Sequence, residues 1–377
     1  MHLALISTSY PDREPGSEAA GAFVADFAEE LARHVQVTVL APARHARVDT
    51  EGALTVRRFA VPSLPLSLLR PANPTAWPAI IRTLHAGQRA AETLTAGPPI
   101  DHILALWALP SGYWARRIGK RHDVPYSCWA LGSDIWSLGH IPLIRNLLRG
   151  VLRAGRHCFA DGYLLGREVE ALAQRPCEFL PSVRRMSACE PKLLRSAPPY
   201  RLAFLGRWHT NKGIDLLLEA LDQLNDDDWR AIEEIRICGG GPLEEPVRTA
   251  GNALAAAGRP VTLRGYQDRD EAARLLTWAD YVVLPSRIES IPVIFSDAIQ
   301  VGCPLIATPV GDLPRLFGEF EVGILCAAAS AAAITAGIRA AILHPATKFN
   351  DGIRLARKQF DLPRACGSLL KRLDLAP

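Results

Sequence analysis

Two carboxylates flank the start of an apolar segment in the second half of the sequence. The stretch "SRIESIPVIFSDAIQVG" (286–302) places Glu289 just before Pro292, and Asp297 among the apolar residues that follow. Proline suits the first turn of a helix, where free amides and the helix dipole attract an anion. Glu289 and Asp297 could then bond the hydroxyls of a phosphorylated sugar. The alternatives are a solvated loop acid for Glu289 and a satisfied buried acid for Asp297.

Two cations stand on an earlier loop of the same half. In "FLGRWHTNKGIDLLLEAL" (204–221) an apolar run ends at Arg207, and Lys212 precedes a helical pattern. A planar guanidinium and a mobile ammonium five positions apart suit a diphosphate. The alternative is that both are ordinary solvated loop residues.

A glycine-rich loop follows the next apolar run. In "RICGGGPLEEPV" (236–247) the backbone at Gly241 could approach a ligand closely, although a plain tight turn explains the same residues. The stretch is neither a GxGxxG fingerprint nor a Walker loop. A nicotinamide-dependent oxidoreductase is therefore disfavoured.

The first half offers weaker candidates. A long loop from Thr8 enters a helix at about Gly21 and could close over phosphates or simply connect elements. Two aromatic-rich loops carry Trp107 and Asp134. Tryptophans there could stack on a sugar or lipid, although buried tryptophans are commoner, and Asp134 could be a helix cap or an acceptor ligand.

The elements that must position these residues alternate between strands and helices. Apolar runs typical of strands covered on both faces are followed by stretches with apolar residues three and four apart, which predicts βαβ units and parallel sheets. We predict an α/β fold of two doubly wound, Rossmann-like domains facing across a cleft. The predicted boundaries are an N-terminal Rossmann-like domain 1–185, a linker 186–199, a C-terminal Rossmann-like domain 200–345, and C-terminal helices 346–377 that pack back on the N-terminal domain.

Composition limits the class of protein. The 377 residues are 49% hydrophobic and 22% charged, as in ordinary globular proteins. The net charge of +4 lies in residues 1–190, with 21 Lys and Arg against 17 Asp and Glu, whereas the remainder holds 22 of each. The absence of a dense basic run or a recognisable binding motif argues against nucleic acid. Eight scattered cysteines without a CxxC pair indicate reduced thiols. The first residues form an apolar run without a basic leader, which is typical of a first strand and not of a signal peptide. We therefore predict a cytoplasmic protein.

Taken together, these residues resemble the retaining glycosyltransferases of the GT-B fold, especially the large GT4 family. The likeness covers nearly the whole chain. Members carry a glutamate, seven residues and a second glutamate, followed by glycine, a small apolar strand and a turn, which residues 289–316 follow closely. The segment "GRWHTNKGIDLLLEAL" resembles the family's donor-phosphate loop, and "GGGP" and "VTLRGY" resemble its base-contacting region.

The resemblance implies roles for individual residues. Arg207, Lys212 and Glu289 would be the catalytic set, with the two cations on the leaving diphosphate and the acid on donor sugar hydroxyls. Asp297 would hold the ribose, and Trp107 and Asp134 would lie on the acceptor side. The further donor-binding positions would be Gly21, Gly206, Gly241, Tyr266, Ser290, Ile291 and Val293.

Three positions depart from the family pattern. Asp297 stands where a glutamate is usual, and Ser290 where glycine is usual; both bear on the identity of the donor. Leu131 replaces a histidine that often lies beside the acceptor.

The implied activity is transfer of a sugar, hexosyl or N-acetylhexosaminyl, from a nucleotide-diphosphate sugar to an acceptor hydroxyl with retention. The acceptor is unknown and could be lipid-linked or part of a polysaccharide or other glycoconjugate. No cofactor and no metal are expected. The acidic triplets at 226–228 and 268–270 could suggest the metal site of the other glycosyltransferase fold, but solvated caps explain them better. A non-catalytic nucleotide-sugar-binding protein, or an isomerase or phosphorylase on the same fold, remains as an alternative.

One segment of the first half suggests contact with a membrane. In 141–156 the cations Arg145, Arg149 and Arg153 recur every four residues beside a broad apolar stripe. The plainer interpretation is a domain helix with a solvated face. The other is a surface helix on anionic lipid at the inner face of the membrane.

Overall fold

The computed structural model describes residues 1–12, 21–64, 66, 69, 73–186 and 192–376. It divides the chain into unit 1, Met1–Arg184 with Leu362–Pro377, and unit 2, Arg185–Asp361. Residues 13–20 of the loop before Gly21, and 187–191 of the predicted linker with Cys189, lie outside the described residues.

Unit 1 is built on an eight-stranded sheet. Its strands are β1 (His2–Ile6), β2 (Gln36–Ala43), β3 (Arg47–Glu51), β4 (Leu54–Ala60), β5 (His102–Leu106), β6 (Tyr126–Ala130), β7 (Cys158–Ala160) and β8 (Glu178–Phe179). The strand order is β3-β4-β2-β1-β5-β6-β7-β8, and every pair is parallel except β3 with β4. The central strands β1, β5 and β6 are buried along their whole length, as expected where helices cover both faces.

Helices connect these strands as crossovers. They are α1 (Ala22–Leu31), α2 (Trp77–Glu92), α3 (Ser111–His122), α4 (Ser133–Trp136), α5 (Pro142–Ala154) and α6 (Tyr163–Ala173). The apolar sides of α2, α3, α5 and α6 meet in one cluster with the strands, which includes the fully buried indole of Trp114.

Unit 2 is built on six parallel strands. They are β9 (Tyr200–Arg207), β10 (Ile232–Gly240), β11 (Val261–Arg264), β12 (Tyr281–Leu284), β13 (Leu305–Ala307) and β14 (Gly323–Leu325), in the order β11-β10-β9-β12-β13-β14. The helices are α7 (Ile214–Asp222), α8 (Asp226–Arg230), α9 (Glu244–Ala256), α10 (Arg269–Trp278), α11 (Val293–Val301), α12 (Leu313–Phe320), α13 (Ala331–Ile342) and α14 (Asn350–Gln359). Counted along the chain, the order is 3-2-1-4-5-6, so the winding reverses between β9 and β12.

The C-terminal helices divide between the units. Helix α14 packs in unit 2, where Arg357 Nε donates to Ile299 O at 3.3 Å and the Phe360 ring that follows lies 5.2 Å from that of Phe295. Only the last helix, α15 (Leu362–Arg372), belongs to unit 1, where it packs on α1. The prediction that both helices pack on the N-terminal domain is therefore wrong for α14. An amphipathic pattern shows that a helix is covered, but not by which sheet.

The antiparallel hairpin β3–β4 is absent from the sequence interpretation. Its outer strand "RVDTE" carries three charged residues and is half exposed, so it lacks the apolar run that marked the other strands. Within the described ranges no helix is long and apolar enough to span a bilayer.

Candidate donor site at the carboxyl edge of unit 2

The winding reversal of unit 2 brings two sequence candidates together. Strands β9 and β12 are hydrogen-bonded neighbours, with Leu202 opposite Tyr281 and Ala203 opposite Val282. The loop with Lys212 leaves the carboxyl end of β9, and the loop with Glu289 leaves that of β12. Ligands bind at this point of such sheets because the two loops diverge to opposite faces and leave a crevice.

Lys212 and Glu289 form an ion pair in this crevice. Lys212 Nζ donates to Glu289 Oε1 at 2.6 Å, and Ser286 Oγ donates to the same oxygen at 2.9 Å. The carboxylate is largely buried, whereas the ammonium is partly exposed. Since an ammonium has three donors, Lys212 can keep this contact and still bond an anion.

The two loops approach so closely that a glycine is required. Gly213 has φ +66°, and a Cβ placed on it would lie 1.8 Å from Pro285 O. Any side chain at this position would force the loops apart. Gly213 therefore fixes the distance between Lys212 and the strand end that leads to Glu289.

A second ion pair, which the sequence interpretation missed, ties the same loops. Arg287 Nη1 and Nη2 each donate to one oxygen of the Asp215 carboxylate at 2.7 Å. Arg287 Nη1 also donates to Thr210 O at 2.8 Å. The Arg287 backbone amide donates to Asn211 O at 2.8 Å. The guanidinium holds the pKa of Asp215 below its usual range. The sequence features that could have indicated this pair are an arginine after a strand and an aspartate in the first turn of the helix that follows Lys212.

Helix α11 presents an uncapped N-terminus beside Glu289. Pro292 is its N-cap residue and provides no side-chain cap, and the first helical amide is that of Val293. Ser290 Oγ is buried and has no hydrogen-bond partner among the described residues, and Ile291 is buried too. Free amides at the positive end of a helix dipole form an anion site.

The loop after β13 holds this segment from a third side. Gly311 has φ +55°, and a Cβ on it would lie 2.3 Å from Glu289 O. Asp312 N donates to Ser290 O at 3.2 Å, and Thr308 Oγ1 donates to Ser286 O at 2.5 Å. Three neighbouring strand ends thus fix the segment that carries Glu289.

Asp297 does not line the crevice surface. It lies in the middle of α11 with an exposed fraction of 0%. A ribose hydroxyl could bond this carboxylate only after the groups that cover it move. Of the two acids in the sequence motif, the structure brings Glu289 alone to the loop with Lys212.

The glycine-rich loop after β10 packs against the end of β9. A Cβ on Gly241 would lie 2.8 Å from Trp208 O, so the loop serves as a tight backbone contact. Gly206 is partly buried beside it, and Arg207 ends β9 with an exposed side chain. Tyr266 lies half exposed across the loop, and its hydroxyl donates to Gly240 O at 2.9 Å. Tyr266 and Arg207 are accessible to a ligand, whereas the glycines allow the two loops to approach each other closely.

The unit 1 candidates also lie at the carboxyl edge of their sheet. Trp107 directly follows β5 with φ +64°, is partly buried, and has its ring centroid 6.2 Å from that of Phe23. Gly21, with φ +81°, begins α1 and lies against the Ser9 backbone, where a Cβ placed on the glycine would be 2.6 Å from Ser9 O. These residues follow β5 and β1, the pair at which the winding of unit 1 reverses.

Asp134 joins two loops of unit 1. Its Oδ2 accepts from Ala108 N at 2.6 Å, and its Oδ1 from Leu131 N at 3.3 Å. Burial raises the pKa of Asp134 to about 6, although the two backbone amides oppose the shift. Both oxygens accept hydrogen bonds from the loops that follow β5 and β6, so Asp134 holds these two loops together.

The acidic triplets are helix starts. Asn225 and Asp228 form a capping box at α8, and Asp268 and Glu271 form one at α10. In the described part of the chain, no three His, Cys, Asp or Glu side chains cluster in a way that could hold a metal ion.

Sequence comparison relates unit 2 to known proteins. Residues 199–344, which lie in unit 2, match the family model for glycosyl transferases group 1. The chain is 27% identical over 238 residues to TuaC of Bacillus subtilis, a protein named for teichuronic acid biosynthesis as a glycosyltransferase. That match covers 59% of this chain and 56% of the Bacillus protein, so the chain spans about half the length of this curated relative.

Two solved structures match almost the whole chain. Sucrose-phosphate synthase from Thermosynechococcus elongatus gives a TM-score of 0.72 at 17% identity, with 99% of each chain covered. HepE of Anabaena, solved in complex with UDP-glucose, gives 0.67 at 15% identity, also with 99% of each chain covered. At these identities the likeness concerns the fold. The prediction of an α/β fold with two Rossmann-like units of the GT-B type is confirmed.

Proposed function

We propose that this protein is a retaining glycosyltransferase that moves a sugar from a nucleotide-diphosphate sugar to an acceptor hydroxyl. The observation that carries the proposal is the Lys212–Glu289 ion pair of 2.6 Å at the winding reversal of unit 2, beside the uncapped start of α11. A cation, a fixed carboxylate and free helix amides in one crevice suit a ligand with both a diphosphate and a sugar.

The diphosphate is proposed to lie between Lys212 and the first turn of α11. Lys212 Nζ donates one N–H to Glu289 and has two more for a ligand, and the Ser290 hydroxyl can donate its O–H. Arg207, exposed at the end of β9, is proposed to reach the same group. These groups would bind most strongly as negative charge develops on the departing diphosphate.

Glu289 is proposed to hold hydroxyls of the donor sugar. Ser286 and Lys212 both donate to its Oε1, which leaves Oε2 to accept from the ligand. A carboxylate fixed in this way needs little reorganisation when positive charge develops on the sugar ring.

The proposed transfer is metal-independent. The bond from the anomeric carbon to the diphosphate oxygen breaks, and the bond to the acceptor oxygen forms on the same face of the ring. The proton of the acceptor hydroxyl passes to an oxygen of the departing diphosphate, so no side-chain base is needed. Lys212 and Arg207 supply the positive charge that a metal provides in other transferases.

The nucleotide is proposed to lie along the loops after β10 and β11. Tyr266 offers a half-exposed ring beside the narrow Gly241 turn, where a base can stack. Support comes from the group 1 family model over this unit and from the UDP-glucose complex of HepE. Asp297 is left out of this assignment, because its carboxylate is fully buried.

The acceptor is proposed to meet the carboxyl edge of unit 1. Trp107 offers a partly exposed ring there, with Asp134 holding the neighbouring loops in place. The transferred group is proposed to be a hexose or N-acetylhexosamine. The acceptor is proposed to be part of a glycolipid, polysaccharide or other glycoconjugate made in the cytoplasm or at the inner face of the membrane.

A panel of nucleotide sugars tests this function. The purified protein is incubated with each donor, with and without acceptor extracts and with and without EDTA, and release of the nucleoside diphosphate is measured. Turnover that needs an acceptor, survives EDTA and retains the anomeric configuration supports the proposal. Binding without turnover indicates a nucleotide-sugar-binding protein, conversion without an acceptor indicates an isomerase, and loss of turnover in EDTA refutes metal independence.

A further inference from the structure

A groove lies between two helices on one face of the unit 2 sheet. It has a volume of about 580 Å³ and is bounded by α7 and α9, with Trp229 of α8 at one end. Its floor is formed by the nearly buried side chains of Leu218, Leu221, Val247 and Leu254. Voids larger than a water molecule are rare in packed proteins, because neighbouring side chains normally interdigitate. This space, the α7–α9 groove, is therefore unlike an ordinary contact between helices.

Small side chains on α9 leave the groove open. Ala250, Ala253 and Ala257 line it at spacings of three and four residues, so they form one wall. Helices α7 and α9 pack side by side and follow the parallel strands β9 and β10, so both run from the carboxyl edge of the sheet to its amino edge. A groove between two parallel helices, with one wall of alanines, admits a third helix at close range.

The helices around the groove are strongly acidic. Helix α7 contains three Asp and Glu residues, α8 three and α9 two, against one arginine on α8 and one on α9. Both arginines are already paired, Arg230 with Asp227, and Arg248 with Glu244 at 2.9 Å. The whole chain, in contrast, has 43 Lys and Arg against 39 Asp and Glu. A partner for this surface should therefore be basic.

Three acids line the α7 side of the groove at helical spacing. They are Asp215, Glu219 and Asp222, four and three residues apart. Both oxygens of Asp215 accept hydrogen bonds from Arg287. Glu219 and Asp222 are exposed, and neither has an ion-pair partner among the residues that the structure describes. Two carboxylates of the rim thus remain for cations of a partner.

Arg259 lines the end of the groove near the amino edge of the sheet. Its guanidinium lies over the Trp229 ring at 5.5 Å and pairs with Asp226 at 2.8 Å, so its charge is neutralised locally. The other end, with Asp215 and Pro246, lies at the carboxyl edge. An occupant therefore enters beside the donor site and meets the free acids of α7 along its length.

We propose that the α7–α9 groove binds a basic amphipathic helix of a partner protein. The apolar face of that helix lies on the leucine floor against the alanine wall, and Lys or Arg along its flank meets Glu219 and Asp222. Charge selects this occupant, since anionic lipid, nucleic acid or the same groove of a second copy would bring like charges together. The inference does not depend on the proposed function, because docking is measured without donor or acceptor.

Titration with a model helix tests the proposal on the full chain. The probe is a fluorescent peptide of about 14 residues, roughly four helical turns, with leucines three and four apart and lysines on both flanks. Wild type is expected to bind it at low salt and more weakly at high salt, because exposed ion pairs are screened. A peptide with glutamate in place of lysine, and one of the same composition whose leucines do not share a face, are expected not to bind.

Two variants separate charge from shape. Glu219→Lys with Asp222→Lys is expected to weaken peptide binding by about tenfold or more, because two attractions become repulsions. Ala253→Trp fills the groove without a change of charge and is expected to weaken binding as well. The charge changes lie at exposed positions, so they test the proposal even where Ala253→Trp does not fold.

Matched controls place the same changes outside the groove. Glu319→Lys with Asp351→Lys reverses two exposed acids elsewhere in unit 2, and Ala255→Trp adds the same bulk at an exposed position of α9 that does not line the groove. Both are expected to leave peptide affinity unchanged. Circular dichroism checks that every variant is folded.

Three outcomes overturn the proposal. Wild type that does not bind the lysine peptide at low salt refutes docking, and so does binding that the controls weaken as much as the groove variants. Self-association of wild type in sedimentation velocity, lost in Ala253→Trp, would assign the groove to a second copy. Calorimetry with a nucleoside diphosphate should give the same affinity for Ala253→Trp and wild type, so a failure of docking is distinguished from a failure of the proposed function.

Discussion

Lys212 Nζ lies 2.6 Å from Glu289 Oε1, although the two residues are 77 positions apart in the chain. They meet because β9 and β12 are neighbours in the sheet of unit 2 and each ends in one of the two loops. Lys212 ends a three-residue 3₁₀ helix, Thr210–Lys212, and Glu289 lies in a loop. Their geometry depends on Gly213, on Ser286 and on the Arg287–Asp215 pair.

Loss of either member of this pair should abolish most of the transfer activity. Lys212→Ala and Glu289→Gln are each expected to lower kcat by about a hundredfold or more, since one charge-assisted contact to a transition state is worth about 3 kcal/mol. The double variant should be little worse than either single variant, because the two residues act as a unit. Donor turnover measures all three.

Matched surface changes provide the control. Lys371→Ala and Glu319→Gln remove the same charges from exposed positions and should keep wild-type kcat and stability. Near-wild-type turnover in the Lys212 or Glu289 variant would remove that residue from the mechanism.

Arg287 and Asp215 should act by positioning the loops. Arg287→Ala is expected to lower kcat by roughly tenfold and change the KM for the donor less, because misplacement of a reacting group slows the chemical step. Stability should barely change, since a partly exposed ion pair contributes little to it. Arg287→Lys should restore part of the loss, because it keeps the charge but not the two-pronged contact.

A charge exchange distinguishes positioning from general packing. Arg287→Asp combined with Asp215→Arg should be more active than either single reversal, because it restores attraction across the same loops. Equal loss in the exchange and both reversals, or a fall in stability that tracks the loss of activity, would contradict the positioning role.

The alternation of strands and helices predicted the two sheets well, because buried parallel strands are apolar runs such as "HILAL". The β3–β4 hairpin was missed because β3 is a polar edge strand, and two arginines interrupt the apolar residues of β4. In the site, the sequence identified Lys212 and Glu289 as residues of loops after strands. It did not show that they touch, because contact depends on strand order, which no local pattern encodes. Arg287 was missed because its partner is 72 positions away.

Asp297 is expected to contribute more to stability than to nucleotide binding. It is fully buried and makes contacts within the described structure, so Asp297→Ala should leave a partner unsatisfied. The expected loss in free energy of unfolding is about 1–3 kcal/mol, with nucleoside diphosphate affinity within about threefold of wild type, on the order of 0.6 kcal/mol. Denaturation and calorimetry measure the two quantities. A large loss of affinity with unchanged stability would instead place Asp297 on the ribose.

The buried Asp134 should make stability depend on pH. Its pKa of about 6 in the folded chain exceeds the ordinary 3.8, so the unfolded chain loses this proton first as pH rises. The contribution is fully present below about pH 4 and is lost as pH rises to about 6, by up to roughly 3 kcal/mol. Asp134→Asn should therefore gain stability relative to wild type across that window.

The difference between wild type and variant is the informative quantity. Burial lowers the pKa of His102 to about 4, which gives wild type a slope of opposite sign over part of the same range. Denaturation curves at about pH 4 and about pH 7, compared between the two proteins, cancel the His102 contribution. A difference in stability that stays constant with pH would contradict the raised pKa of Asp134.

The central claim is that the Lys212–Glu289 crevice binds a nucleotide-diphosphate sugar and activates its transfer. The most direct measurement is nucleoside diphosphate release from a panel of nucleotide sugars by wild type and Glu289→Gln, with donor binding followed by calorimetry on both. The account predicts that at least one donor binds both proteins, and that only wild type releases diphosphate at a substantial rate. Release that is equal in the two proteins, or no nucleotide sugar bound by wild type, would contradict it.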